Sequence, residues 1–266
     1  VDKLTSFQNP KIKQVLHLRE KRERDKSNLF LIEGYRELSR AVENKQVIEI
    51  LFICEELFLG ENEFSLIKKI RAQGASIYPC DEKVFRKISY RDRPDGLIAI
   101  SKQYKKALSD ITFKNKNPFL VVAEAIEKPG NLGTILRSSD AVGVDALIVC
   151  DQCTDIFNPN VVRASVGTLF SVPVVGASTN DAIHWLKKNK IKIVAATPSA
   201  KEEFTKVDLT YPIAIAVGTE QLGLSKAWME QADIQVKIPM LGIADSLNVA
   251  MATTLLLYEA QRQRSL

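Results

Sequence analysis

Four short apolar runs leave few folds open to this chain: Phe119-Leu-Val-Val-Ala123, Ala146-Leu-Ile-Val-Cys150, Ile191 to Ala196 and Ile213-Ala-Ile-Ala-Val217. Apolar residues at nearly every position, rather than at alternate ones, mark strands covered on both faces, as in a parallel sheet between helices. Helical segments are predicted between them, at 131–142, 158–167, 181–189 and 225–232, with short strands at 172–175 and 234–238. The alternation predicts an α/β domain over 119–266 whose ligands lie beyond the carboxyl ends of its strands. A helix running to about Gln263 closes it, with Asp245 or Ser246 as its cap and Ser246 and Asn248 in its first turn.

A smaller alternating α/β unit is predicted over 1–105, with 106–118, polar and lysine-rich, as a linker. Its first helix spans Lys11 to Lys26, and its strands fall at 30–33, 48–54, 76–78 and 97–101. Charge is concentrated here. Residues 1–30 carry eight Lys/Arg against four Asp/Glu, and residues 83–106 carry eight against two, although the whole chain has a net charge of only +5. Such clustering suits a polyanion, with a solvated face as the plainer alternative. The candidate contacts are Lys21 and Arg22 on the first helix, Arg91 and Arg93 in the turn Arg91 to Gly96, and Arg163 further on.

Several classes are set aside. No apolar run approaches the ~18 residues of a membrane span, and the opening Val1-Asp-Lys is unlike a signal peptide. Four cysteines suit a reducing cytoplasm rather than a disulfide scaffold. Cys150-Asp-Gln-Cys153 stands alone, and His17 and His184 are distant, so no metal is expected.

The strand-end loops carry the polar residues. Glycines 130 and 133 flank Asn131 where a helix begins, without a Walker or dinucleotide-binding pattern. Arg137 lies six residues on, so the two meet only if Asn131 sits in the loop and Arg137 points back. Glu220 falls between Gly218 and Gly223 just past a buried strand, and Ala196-Thr-Pro-Ser199 ends another. An ordinary turn is the plainer alternative for each taken singly, although surface turns rarely place an acid between two glycines after so apolar a strand as the one before Glu220.

In this order, Asn131-x-Gly133-x-x-x-Arg137, Gly218-x-Glu220-x-x-Gly223, and Ile238-Pro-Met240 followed by Ser246-Leu-Asn248 resemble the SpoU-type RNA 2′-O-methyltransferases of the SPOUT superfamily, across 119–266. The first hundred residues look like that family's small substrate-binding domain of ribosomal-protein-like fold, on Phe30-Leu-Ile-Glu-Gly34 and the basic turn. The resemblance implies S-adenosylmethionine bound in a deep C-terminal trefoil knot by backbone groups of Gly218, Ile238 and Leu247, with Thr197, Met240 and Asn248 nearby. It implies a homodimer with sites at the interface, and methyl transfer to a ribose 2′-hydroxyl, with ribosomal RNA favoured. A transfer-RNA enzyme and an RNA-binding homologue without turnover are the alternatives.

Arg137 would be the central catalytic residue, supported by Asn131, Glu220, Ser246 and Asn248. Arginine's ordinary value of about 12.5 puts deprotonation at neutral pH about 7 kcal/mol uphill. A clamp on the phosphate beside the target ribose is therefore favoured over a general base.

Overall fold

A computed structural model describes residues 3–265; Val1, Asp2 and Leu266, at the outer ends of the two expected domains, lie outside the described residues. By contact the chain groups into two compact units, one running to Tyr104 and including Asp155–Ser171, the other made of Lys105–Thr154 and the chain from Val172 onward.

In the first unit, α1 (Pro10–His17) and α2 (Lys21–Ser27) lead into β1 (Leu29–Glu33), α3 (Tyr35–Glu43), β2 (Ile48–Ile53), α4 (Asn62–Ala72), β3 (Ser76–Pro79), α5 (Glu82–Ile88) and β4 (Leu97–Lys102). The sheet order is β1-β4-β2-β3. β4 runs antiparallel to β1 and β2, and β3 runs parallel to β2. Ile12 and Val15 of α1 and Val84, Phe85 and Ile88 of α5 pack on one sheet face with Leu31, Phe52 and Ile100.

The second unit contains β5 (Phe119–Glu124), α6 (Pro129–Ala141) and β6 (Ala146–Cys150). The chain then lends α7 (Pro159–Ala164) to the first unit. It continues through β7 (Val174–Ala177), α8 (Thr179–Lys188), β8 (Lys192–Ala196), β9 (Glu202–Glu203), β10 (Ile213–Val217), α9 (Lys226–Gln231), β11 (Ile234–Lys237) and α10 (Val249–Arg264). The sheet order is β7-β6-β5-β10-β8-β11-β9, and every described pairing is parallel. Every residue of β5, β6 and β10 is buried, as the continuous apolar runs require. Among the described residues no helix is long and apolar enough to cross a membrane.

Two predicted helices are divided or shortened. The helix expected over 11–26 breaks between His17 and Lys21. Arg24, only 1% exposed, holds the break. Its Nη1 donates to the carbonyls of Leu18 at 2.9 Å and Arg19 at 2.6 Å, groups at the helix end that lack intrahelical partners. Its Nε and Nη2 reach Asp155 Oδ2 at 2.8 and 2.7 Å. This buried ion pair ties Asp155–Ser171 to the first unit, and Phe157 follows by packing its ring 4.7 Å from Phe30 and 5.2 Å from Tyr104. The helix expected over 158–167 stops at Ala164, because Val166 and Gly167 turn the chain with φ of 54° and 80°. Gly167 lies against α3, where a Cβ would approach Glu37 Cα to 2.9 Å.

The cap expected at Asp245 or Ser246 is also corrected. α10 begins at Val249, and Asn248 is its cap, its Oδ1 accepting from Ala250 N at 3.0 Å and Met251 N at 3.4 Å. Val249 and Ala250 are buried whereas Asp245 and Ser246 are exposed, so the buried face sets where the first turn lies. Ser246 therefore stays in the loop.

Candidate active site

The loops after β8, β10 and β11 leave the sheet at the carboxyl ends of neighbouring strands, and together with the first turns of α10 they enclose a cavity of about 620 Å³. Thr197, Gly218, Ile238, Met240 and Leu247 all line it, as does Ser246. Its wall mixes polar groups with the apolar side chains of Val236, Leu224, Met229 and Leu256, and its described charged lining residues, Glu220 and Asp245, are both acids.

The β10 loop is held very tightly. Thr219 and Gly223 exchange both backbone hydrogen bonds at 3.1 Å, and Gly223 adopts φ +67°. Gly218 packs directly on that turn: a Cβ there would lie 2.2 Å from the Gly223 carbonyl oxygen. Only a glycine leaves this loop closed.

Beside the cavity, three loops meet in a polar cluster. Asn131 Nδ2 donates to Glu220 Oε1 at 3.0 Å, and Asn248 Nδ2 donates to Glu220 Oε1 at 2.7 Å and Asn131 Oδ1 at 3.1 Å. Lys128 forms an ion pair with the other oxygen, Glu220 Oε2. The Lys128 ammonium, aided by the Asn131 and Asn248 amides, holds the Glu220 carboxyl below the usual range, and Glu220 in turn raises Lys128. Glu220 is thus an ionised acceptor that fixes two amides. Asn131 reaches it from the first turn of α6, which starts at Pro129 rather than at Asn131.

The structure does not bring Arg137 into this cluster. It is exposed on α6, where its neighbour Ser138 bonds Thr254 of α10 through their hydroxyls at 2.7 Å. Asn248 belongs to the cluster rather than to the cavity lining.

One contributor escaped sequence reading. Glu124, 4% exposed at the end of β5, accepts from Ser225 N at 2.7 Å and so fastens the far end of the β10 loop. The signal was a carboxylate closing an otherwise apolar strand. Thr179 joins it, its hydroxyl 3.2 Å from Glu124 Oε1 and 2.6 Å from Asp151 Oδ2, and accepts from Trp228 Nε1 at 3.2 Å. The nearby Cys150 thiol is pushed up to about 12 by burial, then by Asp151 and Glu124.

In the first unit, Lys21, Arg22, Arg93 and Arg163 are exposed, Lys21 pairing with Asp25 at 2.9 Å. Arg91 differs. Its Nη2 donates to Glu37 Oε1 at 2.6 Å and Glu33 O at 2.9 Å, and its Nη1 lies 3.8 Å from Asp95. It braces its own turn. Burial raises the Glu37 carboxyl, an effect that Arg91 opposes. Among the described residues no group of three or more His, Cys, Asp or Glu side chains is placed to hold a metal ion.

Parallel strands whose carboxyl-end loops wall a cavity have the arrangement in which open α/β sheets bind their ligands. The family is narrower. The chain belongs to the SpoU rRNA Methylase family, whose model matches residues 118–258, and an MRM3-like substrate binding domain matches residues 9–99. It is 28% identical to the 23S rRNA (guanosine(2553)-2′-O)-methyltransferase RlmP of Bacillus subtilis, over 96% of this chain and 97% of that protein. It is 32% identical to the 23S rRNA (uridine(2479)-2′-O)-methyltransferase of Streptomyces viridochromogenes, over 91% of this chain and 85% of that one. An AdoMet-bound rRNA methyltransferase from Sinorhizobium meliloti superposes with a TM-score of 0.89 at 31% identity, covering 98% of this chain and 97% of that chain.

Proposed function

We propose that this chain is an S-adenosylmethionine-dependent methyltransferase acting on a ribose 2′-hydroxyl of ribosomal RNA. The observation that carries the reading is the strand-end cavity of about 620 Å³, lined by the loops that hold the family motifs. Small-molecule sites commonly span about 300–1,000 Å³, and the described lining carries no Lys or Arg that would oppose a cationic sulfonium. The names of the relatives support ribose chemistry and ribosomal RNA.

Thr197, Gly218, Ile238, Met240 and Leu247 would hold the cofactor, which supplies an electrophilic methyl carbon bonded to a sulfonium sulfur. Asn131, Glu220 and Asn248 act by joining the loops that shape the cavity, with Lys128 neutralising the carboxylate. Ser246, which lines the cavity, would meet the ribose. Arg137 grips the RNA phosphate next to the target hydroxyl, where a planar guanidinium gives two parallel donors. In-line alignment of that hydroxyl with the S–CH₃ bond is the main catalytic contribution, the hydroxyl proton passing to the adjoining phosphate or to water as the demethylated cofactor leaves.

The reading includes a homodimer with the sites at its interface. Met251, Leu255 and Tyr258 form an exposed stripe along α10, 63%, 44% and 53% accessible, which supports a helix face awaiting a second copy. It also includes the family's trefoil knot in the second unit. Four free thiols fit a cytoplasmic setting. Lys21, Arg22, Arg93 and Arg163 would contact RNA, with Arg91 shaping their support.

Calorimetric titration with S-adenosylmethionine and with its demethylated product tests the cavity assignment. Saturable uptake of both is expected; uptake of neither, with or without ribosomal RNA, would refute it.

A further inference from the structure

We infer that Tyr90 is a stacking post for one unpaired base of the RNA, an inference that rests on the RNA-modifying reading above. Tyr90 lies in the turn between α5 and β4, and that turn is fastened from β1. Glu33 accepts from Tyr90 N at 2.8 Å through Oε2, and through Oε1 from Arg91 N at 3.4 Å and from the Ser89 hydroxyl. The side chain is held as well. The Arg19 guanidinium stands 5.4 Å from the ring centroid, itself fixed by the carbonyls of Lys87, Ile88 and Ser89 at 3.2, 3.0 and 2.8 Å. The phenol oxygen accepts from Asn160 Nδ2 at 3.3 Å.

After all of these contacts Tyr90 is still 39% exposed. A core tyrosine would be covered, and a tyrosine that merely faces solvent needs no such anchoring. Here a cation backs one side of an immobilised ring, and the backbone behind it has little freedom left to lose. Ordering entropy, which usually offsets much of the gain from a stacking contact, has been spent in folding. Arg163 lines the same small cleft as Tyr90, and Arg93 is exposed three residues further along the turn. A partly exposed aromatic ring, backed by one guanidinium and near two exposed ones, suits a single strand, because stacking needs a free base face and the cations hold the adjoining phosphates. A duplex offers the phosphates but no free face.

The test uses the full chain and fluorescein-labelled RNA, comparing a 12-nucleotide oligoadenylate with a 12-base-pair duplex by anisotropy at fixed salt. Tyr90→Ala should lose about five- to 150-fold in affinity for the single strand, the range typical of aromatic–base stacking, and change duplex binding less than twofold. Tyr90→Phe and Tyr90→Trp should hold single-strand affinity within about threefold, which separates stacking from a folding defect. Unchanged single-strand binding by Tyr90→Ala, equal losses on both RNAs, or failure of Tyr90→Trp to bind would overturn the inference. Methyl transfer to deproteinised ribosomal RNA separates it from the reading beneath. A wild-type chain that transfers no methyl refutes the function, whereas active wild type with an unchanged KM in Tyr90→Ala refutes only the stacking post.

Discussion

Gly218→Ala tests how the β10 loop makes the cavity. The added methyl would lie 2.2 Å from Gly223 O, 2.3 Å from Gly223 C and 2.5 Å from Leu224 N, all backbone atoms that no rotamer change can move. A carbon–oxygen contact is comfortable at about 3.3 Å or more, so the turn must open by about 1 Å. Opening it disrupts the two Thr219–Gly223 hydrogen bonds of 3.1 Å. These contribute about 1 kcal/mol each, and overpacking a tight site typically adds about 1–3 kcal/mol. The combined cost is about 3–5 kcal/mol, divided between the stability of the fold and the shape of the cavity wall. With 1.4 kcal/mol per tenfold, the share falling on binding should weaken S-adenosylmethionine by about 30-fold or more. The share falling on stability should lower Tm by several degrees. Titration calorimetry and a thermal melt on the same preparation read both. Affinity within twofold of wild type together with an unchanged Tm would refute the close-packing argument.

The remaining predictions concern other links. Arg24→Met leaves Asp155 charged and buried beside two carbonyls that lose their donor, a cost of about 3–5 kcal/mol; hydrogen exchange should accelerate across 155–171, and Arg24→Met with Asp155→Leu should recover part of the loss. The Glu220 carboxyl is held low, so its contribution is present above the ordinary carboxylate value of about 4.3 and is lost as pH falls through the lower folded value. Lys128 is held high, so its contribution is present below the ordinary value of about 10.4 and is lost as pH rises through the higher folded value. Cofactor affinity should thus be level from about pH 5 to 10 with respect to this pair, and Glu220→Gln should remove this pair's part of the acid limb measured by calorimetry. Arg137→Lys should lose most turnover in a methyl-transfer assay while cofactor affinity holds; equal turnover would remove the bidentate clamp.

The parts of the fold that could be read from the chain are those specified locally. β5, β6 and β10 announce themselves because strands buried on both faces need apolar residues throughout. The cavity residues Thr197, Gly218, Ile238, Met240 and Leu247 were reached through the family motifs, since no spacing rule shows that three separate loops share one space. What stayed hidden depends on partners far apart in sequence. The break after α1 follows from Arg24, whose partner Asp155 is 131 residues away, and that same pair draws Asp155–Ser171 into the first unit. The start of α10 is not legible locally because Asp245, Ser246 and Asn248 are all competent caps, and burial of Val249 and Ala250 chooses among them. Arg91 has the sequence setting of another exposed cation in a basic turn, but Glu37, from α3, pairs with it and Asp95 of the same turn lies 3.8 Å away.

The most direct measurement is the fate of a labelled methyl group. Deproteinised ribosomal RNA, incubated with the chain and methyl-labelled S-adenosylmethionine, would be hydrolysed in alkali and its products separated by size. Methylation of a 2′-hydroxyl blocks cleavage of the adjoining phosphodiester, so label in alkali-resistant dinucleotides is the expected result. Label in mononucleotides would place the methyl on a base, and no label in RNA from a chain that binds the cofactor would contradict the proposed activity.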